Sequence, residues 1–352
     1  MFIIGWGTAA PPKRYTQREG WEAARSMEAF EQLTPRSKAI LKKVLLGDNG
    51  IATRHLALDS ISEAFQLNPN ALHERFRKHA PALAAQAAER ALHTAGTSAA
   101  QIDAIIVSTC TGYLCPGLTS YVSERLALRP ETLGLDLVGQ GCGAALPNLR
   151  AAEALIAGGR AERVLSICVE VCSAAFYFDN DPGVLISACL FGDGAGAVVL
   201  SKRACPEVRQ IKWKDAGSTL STVDRDYLRF EQKDGMLRNI LTPQVPALAG
   251  KHAETVLTEV LARRGVRREQ IVTWILHAGG REILNALRHR LGLSESDLRW
   301  SASILREFGN ISSPCVLFVL EAALAGQGPS GYWWLSSFGA GFSCHGALLE
   351  VQ

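Results

Sequence analysis

Cys142 sits in Val138-Gly-Gln-Gly-Cys-Gly-Ala, between a stretch of strand character and one of helical character. Glycines on both sides allow a tight backbone bend from which a side chain can project. A helix N-terminus just beyond supplies N–H groups and positive dipole, which favour a thiolate over the usual thiol pKa of ~8.5. This is the setting of a nucleophile, although a glycine-rich turn can also hold an inert buried cysteine.

Two further polar residues occupy similar turns. His277 follows the apolar run Trp274-Ile275-Leu276 and precedes Ala278-Gly279-Gly280 and a helical pattern. In α/β proteins the C-terminal end of a strand is where chemistry gathers. Asn310 lies in Glu307-Phe308-Gly309-Asn310-Ile311-Ser312-Ser313-Pro314, where a glycine-led turn feeds an apolar helix. Asn310 suits a helix cap, but Ser312 or Ser313 ahead of Pro314 serves equally well and leaves Asn310 free. Three such turns carry more weight together than any one alone.

The elements that must position them alternate along the chain. Phe2–Trp6, Ala104–Ser108, Leu133–Val138, Val164–Val169, Val272–Leu276, Tyr332–Ser336 and Gly346–Val351 read as strands. Helical patterns cover 81–94, 120–126, 144–157, 253–263, 282–290 and 314–325. The alternation predicts a largely parallel sheet with helices on both faces. A charged, proline-bearing stretch near Lys202–Arg209 divides the chain into two related α/β halves, 1–205 and 206–352.

Bulk properties narrow the function classes. The 352 residues are 47% hydrophobic and 20% charged, an ordinary globular composition. A net charge of +3 is too small for a nucleic-acid footprint, and Arg263–Arg268 reads as the basic end of a helix. No apolar run approaches the ~18 residues of a membrane span. Lys13 and Arg14 follow the first apolar stretch, the reverse of a secretory leader, so a cytoplasmic protein is expected. The nine cysteines show no metal-ligand or C-x-x-C spacing. Eight of them read as small packed hydrophobes, with Cys142 the exception.

Gly141-Cys142, His277-Ala278-Gly279-Gly280 and Phe308-Gly309-Asn310-Ile311-Ser312-Ser313, in that order, resemble the Cys-His-Asn triad of the chalcone-synthase-like type III polyketide synthases. Phe191-Gly192-Asp193-Gly194 resembles that family's gatekeeper phenylalanine and Gly-Asp-Gly turn, and Gly339-Ala340-Gly341-Phe342-Ser343 its C-terminal glycine loop. Cys110-Thr111-Gly112-Tyr113-Leu114-Cys115-Pro116-Gly117 is similar to the segment that crosses the family's dimer interface.

The resemblance implies a thiolase-like fold with α-β-α-β-α layers, and a homodimer. Cys142 would be the acyl-carrying nucleophile, with His277 as its ion-pair partner. His277 and Asn310 would together donate to the malonyl-CoA thioester oxygen. Phe191 would separate the CoA tunnel from a cavity lined by Cys110, Thr111, Cys172, Ala175 and Ser312, with Cys115 reaching toward the partner subunit. Arg54, with Lys42 and Lys43 nearby, would contact CoA phosphates. Acyl-CoA and malonyl-CoA would be the substrates, with no metal or redox cofactor.

Ala278 and Ala340 replace prolines common in the family, and the second gatekeeper aromatic of plant members is missing near Gly235–Asn239. The small apolar wall residues leave room for an alkyl chain. The 236–246 stretch looks closest to bacterial alkylresorcinol and alkylpyrone synthases. A fatty acyl-CoA starter, extended by two or three malonyl units, is therefore expected, with an aromatic acyl-CoA or malonyl-CoA itself as competing starters. Three alternatives compete. A ketoacyl-ACP synthase III-like enzyme normally shows His-Gly-Asn where this chain has Phe308-Gly309-Asn310. A papain-like protease would want an aromatic-flanked cysteine, and a non-catalytic partner subunit would typically have lost Cys142.

Overall fold

The computed structural model describes residues 1–65 and 67–352. The strands in chain order are β1 (Phe2–Ala9), β2 (Arg14–Thr16), β3 (Thr53–His55), β4 (Ala104–Thr109), β5 (Leu133–Val138), β6 (Arg163–Glu170) and β7 (Gly194–Ser201). They continue with β8 (Ile211–Leu220), β9 (Leu228–Lys233), β10 (Met236–Leu241), β11 (Ile271–Leu276), β12 (Gly331–Gly339) and β13 (Ser343–Val351). Nine of them form one sheet in the order β11-β12-β13-β8-β1-β7-β6-β4-β5. β9 and β10 stand apart as a hairpin, and β2 and β3, distant in the chain, pair as a second two-stranded sheet.

The sheet repeats itself. Reading inward from one flank gives β4, β6, β7, β1, and from the other β11, β12, β13, β8. Each series is first, second, third and then earliest strand in chain order. Only β5 lacks a counterpart.

Parallel pairing is confined to the flanks, at β4–β5, β4–β6 and β11–β12. The central pairs are antiparallel, which corrects the largely parallel sheet expected from the sequence. The reason is local: β12 and β13 are joined by a three-residue turn, too short for the crossover that parallel neighbours need.

Five layers result. The helix Pro69–Thr94 covers β1, β7 and β6 on one outside. Helix Val245–Arg264 covers β8 and β13 on the other, with helix Arg281–Leu291 packed against it. Between them, helix Ala145–Ala157 touches β4 and β6 as well as β12 and β13, and helix Cys315–Ala325 touches β11 and β12 as well as β1 and β7. Buried from both sides, Cys315–Ala325 is apolar almost all round. Its one carboxylate, Glu321, accepts from the Thr8 hydroxyl of β1.

Two sequence expectations shift in detail. The helix expected from residue 81 begins at Pro69, where Asn68 caps Asn70 N and Ala71 N, and it carries Pro81 inside. Arg263 and Arg264 end a helix as expected, and both pair with Asp215 at 3.2 Å. Among the described residues no helix is long and apolar enough to cross a membrane. All nine cysteines are free.

Candidate active site

Cys142 leaves β5 through Gly139 and Gly141, at φ 85° and 56°, and sits in a single 3-10 turn just before helix Ala145–Ala157. A side chain at either glycine would be strained. Gly143 is wedged against Gly339 and His345, and the Ser337 hydroxyl donates to its carbonyl at 3.1 Å. The nucleophile turn is thus pinned by β12 and β13.

His277 and Asn310 arrive from the other half of the chain. His277 directly follows β11, its amide donating to Ser336 O at 2.9 Å, and its ring lies edge-on to Phe338 with centroids 4.9 Å apart. The ring is buried, and neither nitrogen has a protein partner. Asn310 Nδ2 donates to Gly279 O at 3.1 Å, and Asn310 Oδ1 accepts from Ser312 N at 2.9 Å. Asn310 therefore does not cap the following helix but braces the His277 turn. It uses one of its two amide N–H groups to do so. Ser312, held at φ 56°, points its hydroxyl to Cys142 Sγ at 3.2 Å. Positive φ at a non-glycine residue is local strain of the kind that collects at functional sites. Cys142, Ser312, Asn310, Gly279 and His277 form one continuous chain of contacts.

Beneath Ser312 lies a carboxylate that the sequence reading did not single out. Glu170 ends β6, fully buried. It accepts from Thr111 Oγ1 at 2.8 Å, Cys110 N at 3.0 Å and Cys110 Sγ at 3.3 Å, and also from the Ser313 hydroxyl. Ser312 Oγ is 3.4 Å away. Burial raises its pKa against these donors. A charged residue closing an otherwise apolar strand was the available signal.

Burial also governs the pair above. It pushes the Cys142 thiol up to about 12 and the His277 imidazole down to about 3. Desolvation thus outweighs the helix-terminus effect expected from sequence. At neutral pH both groups therefore rest uncharged, as a thiol and a neutral imidazole.

Phe191 is locked to this centre through the main chain. Gly192 N donates to Asn310 O, and Asn310 N to Leu190 O, both at 2.9 Å. Arg54 is placed differently from the sequence expectation. Its guanidinium is buried, donating to Ala188 O at 2.8 Å, Phe191 O at 2.9 Å and Gln17 Oε1 at 3.1 Å. It faces main-chain carbonyls rather than solvent, so it supports the Phe191 segment and is out of reach of a CoA phosphate at the surface.

The remaining wall residues divide between two spaces. A closed chamber of about 10 Å³ is lined by Phe191, Ser312, Cys172 and Ala175. A wide groove of about 740 Å³ carries Cys110 on its wall, and Thr111 borders both spaces. Cys115 is exposed and borders neither.

A thiol, an imidazole with two open nitrogens and an amide with a spare N–H, linked through Ser312 and Gly279, are groups that cysteine-dependent acyl transfer can use. Residues 24–203 match the N-terminal domain of the chalcone and stilbene synthases, and residues 230–349 match the C-terminal domain. The chain belongs to that family and is a type III polyketide synthase, an acyltransferase of thiolase-like fold that condenses malonyl-CoA. Its substrates are CoA thioesters.

It is 31% identical to the 3,5-dihydroxyphenylacetyl-CoA synthase of Streptomyces toyocaensis, over 99% of this chain and 89% of that one. Identity to the enzyme of the same name from Amycolatopsis balhimycina is 32%, over 79% and 75%. Among solved structures, polyketide synthase PKS-I of the brown alga Ectocarpus siliculosus superposes with a TM-score of 0.90 at 26% identity, covering 99% of this chain and 98% of that one. The 1,3,6,8-tetrahydroxynaphthalene synthase of Streptomyces coelicolor superposes with a TM-score of 0.88 at 25% identity, covering 100% and 99%.

Proposed function

We propose that Cys142 loads an acyl-CoA starter, that His277 and Asn310 drive its extension by malonyl-CoA, and that the product is released after ring closure. The observation that carries this reading is the contact chain from Cys142 Sγ through Ser312 and Asn310 to the His277 turn. The Cys142 proton passes to His277, and the sulfur attacks the thioester carbonyl and expels CoA. Malonyl-CoA then loses CO₂. The electron pair moves onto its thioester oxygen, held by the His277 N–H and the free N–H of Asn310. The enolate carbon attacks the acyl group on Cys142, a C–C bond forms, and the sulfur leaves. No step needs a metal or redox cofactor.

For the starter we favour a fatty acyl-CoA, giving alkylresorcinol or alkylpyrone products. The groove is the support: its walls include Leu72, Phe76, Val138, Met236 and Leu237, and its volume is in the range of ligand pockets. A second reading, a small starter or malonyl-CoA alone leading to an aromatic product, draws on the tiny closed chamber and on the product names of the relatives. We also read the chain as a cytoplasmic homodimer. Its free thiols fit a reducing compartment. The exposed Tyr113, Leu133 and Val138, on the Cys110–Gly117 segment and edge strand β5, fit a subunit interface.

Labelled malonyl-CoA supplied with acetyl- to stearoyl-CoA tests both levels. Multiply extended resorcinols or pyrones from the wild type, and none from Cys142→Ala, support the reading. A single ketoacyl product would instead assign a one-step ketoacyl synthase. Turnover of small or aromatic starters alone would overturn the fatty-acyl assignment.

A further inference from the structure

The closed chamber and the wide groove meet at two residues. Thr111 and Phe230 border both. Thr111 is fixed, because its hydroxyl donates to Glu170 Oε2 at 2.8 Å and accepts from Val171 N at 3.0 Å. Phe230 has no such tether. It lies half-buried on β9, in a hairpin that hydrogen-bonds to no other strand and turns at Asp234-Gly235, both at positive φ. The movable part of the partition is therefore the Phe230 ring.

Directly across the hairpin from Phe230 stands Asn239. Asn239 also borders the closed chamber, is only 7% exposed, and its Oδ1 has no hydrogen-bond partner. A buried amide oxygen left unmatched among Cys172, Ala175, Phe176 and Phe191 costs free energy until something supplies a donor. The chamber is a space that Asn239 lines.

We propose that the cross-strand pair Phe230–Asn239 determines which acyl chains this enzyme accepts, a reading that rests on the polyketide synthase function above. With Phe230 in place, the chamber, at about 10 Å³, has room only for a group about the size of a hydroxyl. A short starter is therefore favoured, and Asn239 prefers one whose hydroxyl enters the chamber and donates to Oδ1. With the ring swung aside, chamber and groove join, and the apolar groove takes an alkyl chain. Both effects are exerted from one hairpin and leave Cys142, His277 and Asn310 untouched.

The test compares kcat/KM for butyryl-, 3-hydroxybutyryl- and lauroyl-CoA with malonyl-CoA, using wild type, Phe230→Ala, Phe230→Leu and Asn239→Leu. Both Phe230 variants should raise the lauroyl-to-butyryl ratio, the alanine by about tenfold or more and the leucine by less. The leucine keeps the experiment readable if the alanine does not fold. Wild type should favour 3-hydroxybutyryl- over butyryl-CoA by about tenfold, and Asn239→Leu should abolish that preference. An active wild type whose chain-length ratio is unmoved in both Phe230 variants overturns the gate. An unchanged hydroxyl preference in Asn239→Leu overturns the role of Asn239. No malonyl-derived product from wild type with any starter overturns the polyketide reading itself.

Discussion

The Ser312 hydroxyl donates to Cys142 Sγ at 3.2 Å while lying 3.4 Å from the buried carboxylate of Glu170. A residue from the C-terminal half thus connects the nucleophile to a carboxylate at the end of β6. Ser312→Ala should remove that donor and slow acylation of Cys142 about tenfold, the worth of one modest hydrogen bond. Stopped-flow loading with a starter CoA checks this. An unchanged loading rate would make Ser312 a packing residue only.

His277→Ala should expose what burial alone does to the nucleophile. Desolvation holds the Cys142 thiol at a pKa of about 12, and without His277 no imidazole remains to take its proton as it reacts. Its alkylation by iodoacetamide should then rise about tenfold per pH unit between pH 7 and 10, following the thiolate fraction. In wild type the rate should also rise with pH, because the thiol rests protonated, but lie about tenfold or more higher at pH 7, where neutral His277 accepts the proton as the sulfur reacts. Equal rates in the two proteins at pH 7 would show that His277 does not take the proton.

The imidazole also carries a stability prediction. Burial lowers the His277 pKa from 6.5 to about 3, so the unfolded chain binds this proton at a higher pH than the folded one. Stability from the neutral ring is present above about pH 6.5 and is lost as pH falls toward 3. The loss is on the order of 3–5 kcal/mol. Urea unfolding at pH 7 and pH 4 should show a smaller acid loss for His277→Gln than for wild type. Equal losses would mean that the ring is not held neutral.

Arg54→Met leaves Ala188 O, Phe191 O and Gln17 Oε1 without their donor. The expected cost is about 2–4 kcal/mol in urea denaturation. Arg54→Lys should recover only part of it, because an ammonium does not reproduce the planar fork. If CoA affinity fell in both variants while stability stayed unchanged, the phosphate-contact role would return.

Much of this architecture is legible in the sequence because glycine punctuates it. The turns at Cys142, His277 and Asn310 are each marked by glycines that their backbones require, and the intervening apolar runs give the strands and buried helices. Strand direction was not legible. β-α-β alternation suggests parallel pairing, whereas the turn between β12 and β13 and the central position of β1 decide it.

Arg54 was misplaced because a basic residue on a polar stretch normally faces water, and only tertiary packing buries it under Phe191. Phe230 and Asn239 carry no local signal at all. Their relation is a register between two strands, and it acquires meaning only where the hairpin closes over the chamber.

The most direct test of the central claim is intact-protein and peptide mass spectrometry after brief incubation with an acyl-CoA, followed by a chase with malonyl-CoA. The account predicts one acyl adduct, on the peptide carrying Cys142, absent from Cys142→Ala and consumed during the chase. An adduct on another cysteine such as Cys110, or one that malonyl-CoA leaves in place, would contradict it.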